Sequence, residues 1–288
     1  MRIQFLDRKS TAEKIIYTIV FVLFAAFALS YLYIFFWGIV ASLKTHTENV
    51  MKPFAFPEVA QWKNFQEVFT LFTPNDTTFL EMTFNSVFFS VVPAGGGIMF
   101  TAMLAYVTTK YKFWGSQVYY YLSFVVMLLP IYSSGGAMFK LIHNLDLMNN
   151  YLFVITAFGG IGATYMYFAA FFKNLSWSYA EAAFIDGANH FDVYFRIMLR
   201  MALPAISVLF ITGFIGRWNE YLTISVFMPR LPTLSYGLYM FEQNMKYSGG
   251  DMPVYFAGVF IAAIPCITLF IVFQNSIMQT VHMGGIKG

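Results

Sequence analysis

Charge is the scarcest commodity in this chain. Only 11% of its 288 residues are Asp, Glu, Lys or Arg, where a soluble domain carries about 25%. With 59% hydrophobic and 20% aromatic residues, the polar surface is too small to dissolve a globule. A soluble fold is excluded, and an integral membrane protein remains. Cysteine is almost absent: Cys266 stands alone in an apolar run, so neither an intrachain disulfide nor a cysteine-rich metal site can form. It reads as a small buried hydrophobe. The net charge of +3 is spread over scattered basic residues, which excludes nucleic acid as a partner.

Catalytic signatures are missing too. No glycine-rich loop ends in Gly-Lys-Ser/Thr, so the chain has no phosphate cradle for ATP. There is no His-Glu-x-x-His, no Gly-x-Ser-x-Gly and no dinucleotide-type glycine fingerprint. His46, His143, His190 and His282 lie far apart, none with an acid or cysteine at ligand spacing. The sequence offers no metal site, no bound cofactor and no basis for an enzyme.

What the chain does contain is long apolar runs. A spanning helix needs about 20 such residues, and six segments qualify: 15–41, 83–109, 117–141, 151–173, 202–226 and 254–281. The first exceeds a signal-peptide core of about 7 to 15 residues and is read as a retained helix. Basic residues flank one set of ends: Arg8, Lys9 and Lys14, then Lys110 and Lys112, then Lys173, Arg196 and Arg200. The opposite loops carry Glu48, Glu58, Glu67, Asp76, Glu81, Asp146, Glu242 and Asp251. By the positive-inside rule, both termini are cytoplasmic. The expected organisation is a cytoplasmic N-terminus 1–14, one six-helix transmembrane domain 15–281 and a cytoplasmic tail 282–288.

Several spans carry helix breakers: Pro93 with Gly95-Gly96-Gly97, Pro130 before Tyr132-Ser133-Ser134-Gly135-Gly136, Gly159-Gly160-x-Gly162, and Pro265. Backbone groups freed at membrane depth must find protein or water. These breaks therefore face either a tight helix contact or a cavity. Arg217 and Glu220, three residues apart in the fifth span, are expected on one helical face. A charge at the bilayer centre costs roughly 2.5 to 3.5 kcal/mol, so they either pair and snorkel outward or line a path. Trp218 between them suits an interfacial anchor or a stacking face for a sugar ring.

The loop 174–201 cannot lie in hydrocarbon, because Glu181, Asp186, Asp192, Arg196 and Arg200 interrupt the apolar runs. Ser178 with Glu181 has the spacing of a capping box. Gly187 fits the left-handed stop of a short helix. Asn189 with Asp192 can open a second helix, with Phe191, Phe195 and Leu199 on one face. The expected product is a helix, a glycine elbow and a helix, shaped to dock into a partner's groove.

The run Glu181-Ala182-Ala183-x-x-Asp186-Gly187-Ala188, with Phe195-Arg196-Ile197 and Pro204 at their distances, resembles the EAA loop of ABC-importer permeases. Arg200 departs from the proline many members have there. The likeness to the sugar-importer branch extends to Ser42-Leu43-Lys44-Thr45 with Glu48, Pro53, Phe56 and Pro57. It continues through Asn85-Ser86, Ala105-Tyr106, Trp218-Asn219, Thr233-Leu234, Gly237-Leu238, Pro265 and Gln274, covering nearly the whole chain.

The resemblance implies an all-α polytopic protein of the type I ABC importer permease fold, in a bacterial plasma membrane, with a cytoplasmic coupling helix. Glu181, Ala182, Ala183, Asp186, Gly187, Ala188 and Pro204 would then engage the ATPase. It also implies a homologous second permease subunit, two ATP-binding subunits that use ATP and Mg, and an extracellular solute-binding protein that contacts the 228–253 loop. An oligosaccharide is the expected substrate. Asn85, Tyr132, Ser133, Ser134, Arg217, Trp218, Asn219 and Glu220 are candidates for the translocation path. The alternatives are a permease for another solute, or a stand-alone channel or secondary transporter, which would need no docking elbow.

Overall fold

The structure is a computed structural model that describes residues 10–129, 135–248 and 250–284, with side chains for all of these except 248 and 276–284. In chain order the helices are α1 (Thr11–Ser42), α2 (His46–Met51), α3 (Lys63–Leu71), α4 (Phe79–Lys110), α5 (Trp114–Leu128), α6 (Gly135–Asn144), α7 (Ala163–Asn174), α8 (Ser178–Ile185), α9 (His190–Asp192), α10 (Leu199–Trp218), α11 (Leu222–Phe227), α12 (Leu234–Ser248) and α13 (Met252–Gly284). A π-helical stretch, Val193–Met198, joins α9 to α10, and a 3-10 helix, Tyr151–Ala157, precedes α7. No strand occurs among the described residues.

Three helix starts use the same device. Ser10 with Glu13, Thr45 with Glu48 and Thr78 with Glu81 each form a reciprocal capping box at the head of α1, α2 and α4. Each box satisfies two of the four amides that a helix start leaves unbonded.

Among the described residues, four stretches are continuous and apolar enough to cross a bilayer: Thr11–Ser42, Phe79–Lys110, His190–Trp218 and Met252–Asn275. The stretches expected as the third and fourth spans hold only shorter pieces. The third contains α5 and α6, with 130–134 outside the described residues. In the fourth, the 3-10 helix and α7 measure about 14 and 18 Å at their usual rises, and Gly160 and Gly162 between them take positive φ. Neither piece alone spans about 30 Å of hydrocarbon. The fifth expected span ends early, at Trp218, and α11 follows as a separate helix.

The chain forms two compact units. One comprises the segments up to Leu71 together with Asn244–Ile261. Along α1 from Ile15 to Phe36 the large apolar side chains are exposed, as a lipid-facing helix requires. At its far end Gly38 meets the ring of Phe260, so closely that a β-carbon would stand 3.1 Å from it. Just beyond α1, Lys44 is 1% exposed. Its Nζ donates to the carbonyls of Lys52 (2.9 Å) and Pro53 (2.8 Å), while Asn64 Nδ2 donates to those of Ser42 and Lys44 (both 2.8 Å). Burial holds the Lys44 ammonium below the usual lysine range, with Glu48 opposing that shift. In Lys44→Met the Pro53 carbonyl would keep the Trp37 indole N–H at 3.0 Å and the Lys52 carbonyl would keep the Ala55 N–H at 3.2 Å, but both would lose the ammonium donor. A hydrogen bond to a charged group contributes about 1.5 to 3 kcal/mol. We expect a lower thermal midpoint for Lys44→Met than for Lys44→Arg in a melting experiment.

The second unit comprises Phe72–Gln243 and the chain from Ala262 onward. Its axis is α4, against which α7 and α10 pack. Small residues on α4 make this possible: Ala102 and Ala105 are fully buried against Tyr165, Phe168 and Phe172 of α7. Thr108 Oγ1 and Tyr165 Oη lie 2.8 Å apart, and Tyr119 Oη donates to the Gly160 carbonyl at 2.7 Å. Toward the other end, Phe89, Ile142, Phe153, Ile224 and Met228 form a second apolar cluster.

Candidate functional site

The segment from Trp177 to Met198 folds as a projecting elbow. Ser178 does not cap α8, contrary to the capping box that its spacing with Glu181 suggests. Trp177 is already in the right-handed helical region and its carbonyl accepts from Ala180 and Glu181. Ser178 is therefore inside the helix, and its amide is satisfied by Ser176 Oγ at 3.3 Å. That leaves Glu181 exposed, without a capping role.

The helix end follows the glycine signal. Gly187 has φ +83, its amide donates to the Phe184 carbonyl at 3.0 Å, and Ala188 N–H donates to the Ala183 carbonyl at 2.9 Å. These are the two bonds of a Schellman stop. Nothing lies within 4 Å of where a Gly187 β-carbon would be, so the glycine is required by backbone conformation and not by space. Asn189 Oδ1 then accepts from Asp192 N–H at 2.9 Å and opens the second arm.

The second arm departs from the four-residue stripe. Across the π-helical stretch the buried side chains are Val193, Tyr194 and Met198, while Phe191 and Phe195 are exposed. The wider π turn accounts for the five-residue step from Val193 to Met198. The outer surface thus presents Tyr179, Ile185 (86% exposed), Phe191 and Phe195 among Glu181, Ala182 and Asp186.

An aromatic cage holds the elbow. Tyr111, Trp177, Phe184 and His190 follow one another with ring centroids 5.8, 6.2 and 4.9 Å apart, and the circuit closes from His190 to Tyr111 at 5.5 Å. Tyr111 Oη lies 2.8 Å from His190 Nδ1, and Lys110 Nζ donates to the Leu175 carbonyl at 2.6 Å. Ala180 and Ala183 pack inward, while Ala182 faces out. Sequence reasoning missed this cage because its members are spread over three separate segments. Pro204 lies within α10, four residues past Arg200, where its ring replaces the amide that would bond the Arg200 carbonyl.

A cavity of about 420 Å³ opens beside α4. Pro93, Gly97 and Thr101 line it from α4 and Gly213 and Arg217 from α10, with Gly160 between. The helix breakers of two spans thus converge on one space. Close packing accompanies it: a β-carbon on Gly96 would stand 2.7 Å from the Phe158 ring, and one on Gly97 would stand 3.1 Å from the Ala157 carbonyl. Thr101 and Thr212 return their hydroxyl protons to their own helices, leaving oxygen lone pairs toward the cavity. Arg217 is the charged side chain among the described residues of this lining, and Glu220 joins it at a smaller adjoining pocket.

The other path candidates are placed differently. Arg217 and Glu220 do not form an ion pair among the described residues, because α10 stops at Trp218 and Glu220 Oε1 accepts from Thr223 N–H at 3.0 Å, heading α11. Asn219 Nδ2 donates back to the Ile215 carbonyl. Trp218 is 2% exposed, stacks on Phe214 and donates its indole N–H to the Ala262 carbonyl at 2.9 Å. It lines neither pocket. Asn85 donates to the Pro232 carbonyl at 3.0 Å and accepts from Tyr151 Oη at 2.7 Å, while Ser86 Oγ accepts from Leu234 N–H. Asn85 and Ser86 thus pin the Pro232–Leu234 segment. Tyr132, Ser133 and Ser134 lie outside the described residues.

Helices broken around a cavity, with a rigid exposed elbow at one end, define a multi-pass membrane transport subunit. The chain belongs to the family described as binding-protein-dependent transport system inner membrane component, whose pattern matches residues 97–282. It is the permease subunit of an ABC importer, a transport component and not an enzyme, and the family works with a binding protein and an ATPase. Among its relatives is the diacetylchitobiose uptake system permease protein NgcG of Streptomyces coelicolor, 26% identical over 86% of this chain and 82% of that protein. The arabinooligosaccharides transport system permease protein AraQ of Bacillus subtilis is 25% identical over 92% and 94%. A chain in the crystal structure of a bacterial ABC transporter involved in import of the acidic polysaccharide alginate shares the fold. Its TM-score is 0.77 at 22% identity, covering 93% of this chain and 98% of that one.

Proposed function

We propose that this chain forms half of the translocation path of an importer for an oligosaccharide, with both termini and the elbow on the cytoplasmic side of a bacterial plasma membrane. A homologous second permease completes the path, two ATP-binding subunits using ATP and Mg sit beneath the elbow, and an extracellular solute-binding protein delivers the sugar. This chain binds no cofactor.

The observation that carries the coupling role is the elbow itself. It exposes an apolar surface around Ile185 and Phe191 while its base is locked by the aromatic cage, so a push at the tip moves α10 as a lever. Closure of the ATPases then biases the permease between two states that the partners contact differently. The sugar class is supported by the diacetylchitobiose and arabinooligosaccharides that its relatives are named for and by a cavity lined with threonines, glycines and Arg217.

The test is reconstitution. We expect Ile185→Cys to cross-link to a cysteine placed on the ATPase surface in the assembled transporter, with the yield changing when ATP is bound. Absence of any ATPase adduct, in a complex that transports, would remove the elbow from the interface.

A further inference from the structure

A second polar cleft, of about 320 Å³, lies at the elbow end of the bundle between the end of α4, the start of α5 and the end of α7. Its lining includes Thr109, Lys112, Ser116, Gln117, Tyr121 and Lys173, and no carboxylate is among its described lining residues. Thr109 and Ser116 give their protons to the carbonyls of Ala105 and Phe113, so their oxygens face the cleft as acceptors. The two ammoniums are exposed, and neither is held by a carboxylate among the described residues. Lys110 differs: it is committed to the Leu175 carbonyl.

The cleft does not stand alone. From Gln117 and Tyr121 the same face of α5 continues through Phe124, Val125 and Leu128, spaced three and four residues apart. All of these side chains are exposed. Trp114, at the first turn, is 94% exposed and suits the headgroup level where aromatic belts form. Two cations at the interface with an apolar stripe running into the hydrocarbon match a phosphate group that carries acyl chains.

We propose that this cleft binds the headgroup of an anionic phospholipid in the cytoplasmic leaflet, with Lys112 and Lys173 on the phosphate and α5 against the acyl chains. Basic pockets between helices on that side are where such lipids are held. The sidedness rests on the orientation proposed above; the lipid assignment rests on the cleft and the stripe. Bound lipid here would brace the start of α5 next to Tyr111, which is also a member of the elbow's cage.

The test uses the assembled transporter in detergent, titrated with phosphatidylglycerol, phosphatidylcholine or inorganic phosphate, and read by native mass spectrometry and thermal shift. Phosphatidylglycerol should be retained and should raise the melting temperature, whereas phosphatidylcholine and inorganic phosphate should not. Lys112→Gln with Lys173→Gln should weaken phosphatidylglycerol about 30-fold, from two charges at a membrane surface, while the paired Arg variant should keep it. Wild-type affinity in the Gln variant, or an equal shift with inorganic phosphate, overturns the proposal. If the Gln variant does not assemble, the wild type decides, and equal binding of the two lipids refutes it. Uptake measured on the same preparation reports separately on the importer reading.

Discussion

Gly187→Pro in the assembled transporter is expected to reduce solute-stimulated ATP hydrolysis to its unstimulated level and to cut uptake by about 100-fold, with the chain still inserted. Gly187 sits at φ +83, and proline is fixed near −65°. Proline also removes the amide that donates to the Phe184 carbonyl. The elbow must then open at its corner, and a displacement of a few kcal/mol depopulates the docked conformation by one to two orders of magnitude. Two milder variants calibrate the effect. Gly187→Ala should cost about 1 to 2 kcal/mol for the left-handed position, and Gly187→Asn less, since Asn adopts that conformation readily. An ordering of Pro, Ala, Asn and Gly from least to most coupled supports a rigid corner. Full coupling in Gly187→Pro would mean the elbow transmits nothing.

The corner could be read from sequence because its cause is local: a glycine just past the end of the short Ser178–Ile185 helix, with Asn189 close behind it. Capping boxes were less dependable. The Ser/Thr-x-x-Glu spacing holds at Ser10, Thr45 and Thr78 yet does not operate at Ser178. The difference is tertiary. The indole of Trp177 packs on Tyr111 and Phe184, so the helix begins one residue earlier and Ser178 is no longer at its edge. The length of the apolar run likewise located α4, but four-residue spacing could not show that the chain from Asn189 to Trp218 contains a π-helical stretch with Phe191 and Phe195 exposed. The pairing of Arg217 with Glu220 assumed a helix running past Trp218. It stops there, and Glu220 heads α11 instead. The breakers Pro93, Gly97 and Gly160 were legible as breakers; that they share one cavity depends on α4 and α7 lying side by side.

That cavity fixes the second large effect, in Arg217→Met. A sugar hydroxyl offers a proton and two lone pairs, so a site for it needs donors as well as acceptors. The lining supplies acceptors freely, through Thr101, Thr212 and backbone carbonyls, because those hydroxyls have already given their protons to Gly97 and to Val208 or Leu209. Donors are scarce, and the guanidinium of Arg217 brings five N–H groups in one fork. Methionine matches much of its length and none of its donors. A hydrogen bond to a charged group contributes about 1.5 to 3 kcal/mol, so uptake at limiting solute should fall by about 10- to 150-fold. Arg217→Lys should fall between, keeping the charge without the fork. ATP hydrolysis in the absence of solute should not change in either variant, which distinguishes a path residue from a structural one. Size-exclusion chromatography addresses the rival account, in which Arg217 pairs with a carboxylate of the second permease: an Arg217→Met complex that falls apart fits pairing between subunits, and an intact complex with wild-type uptake refutes both roles.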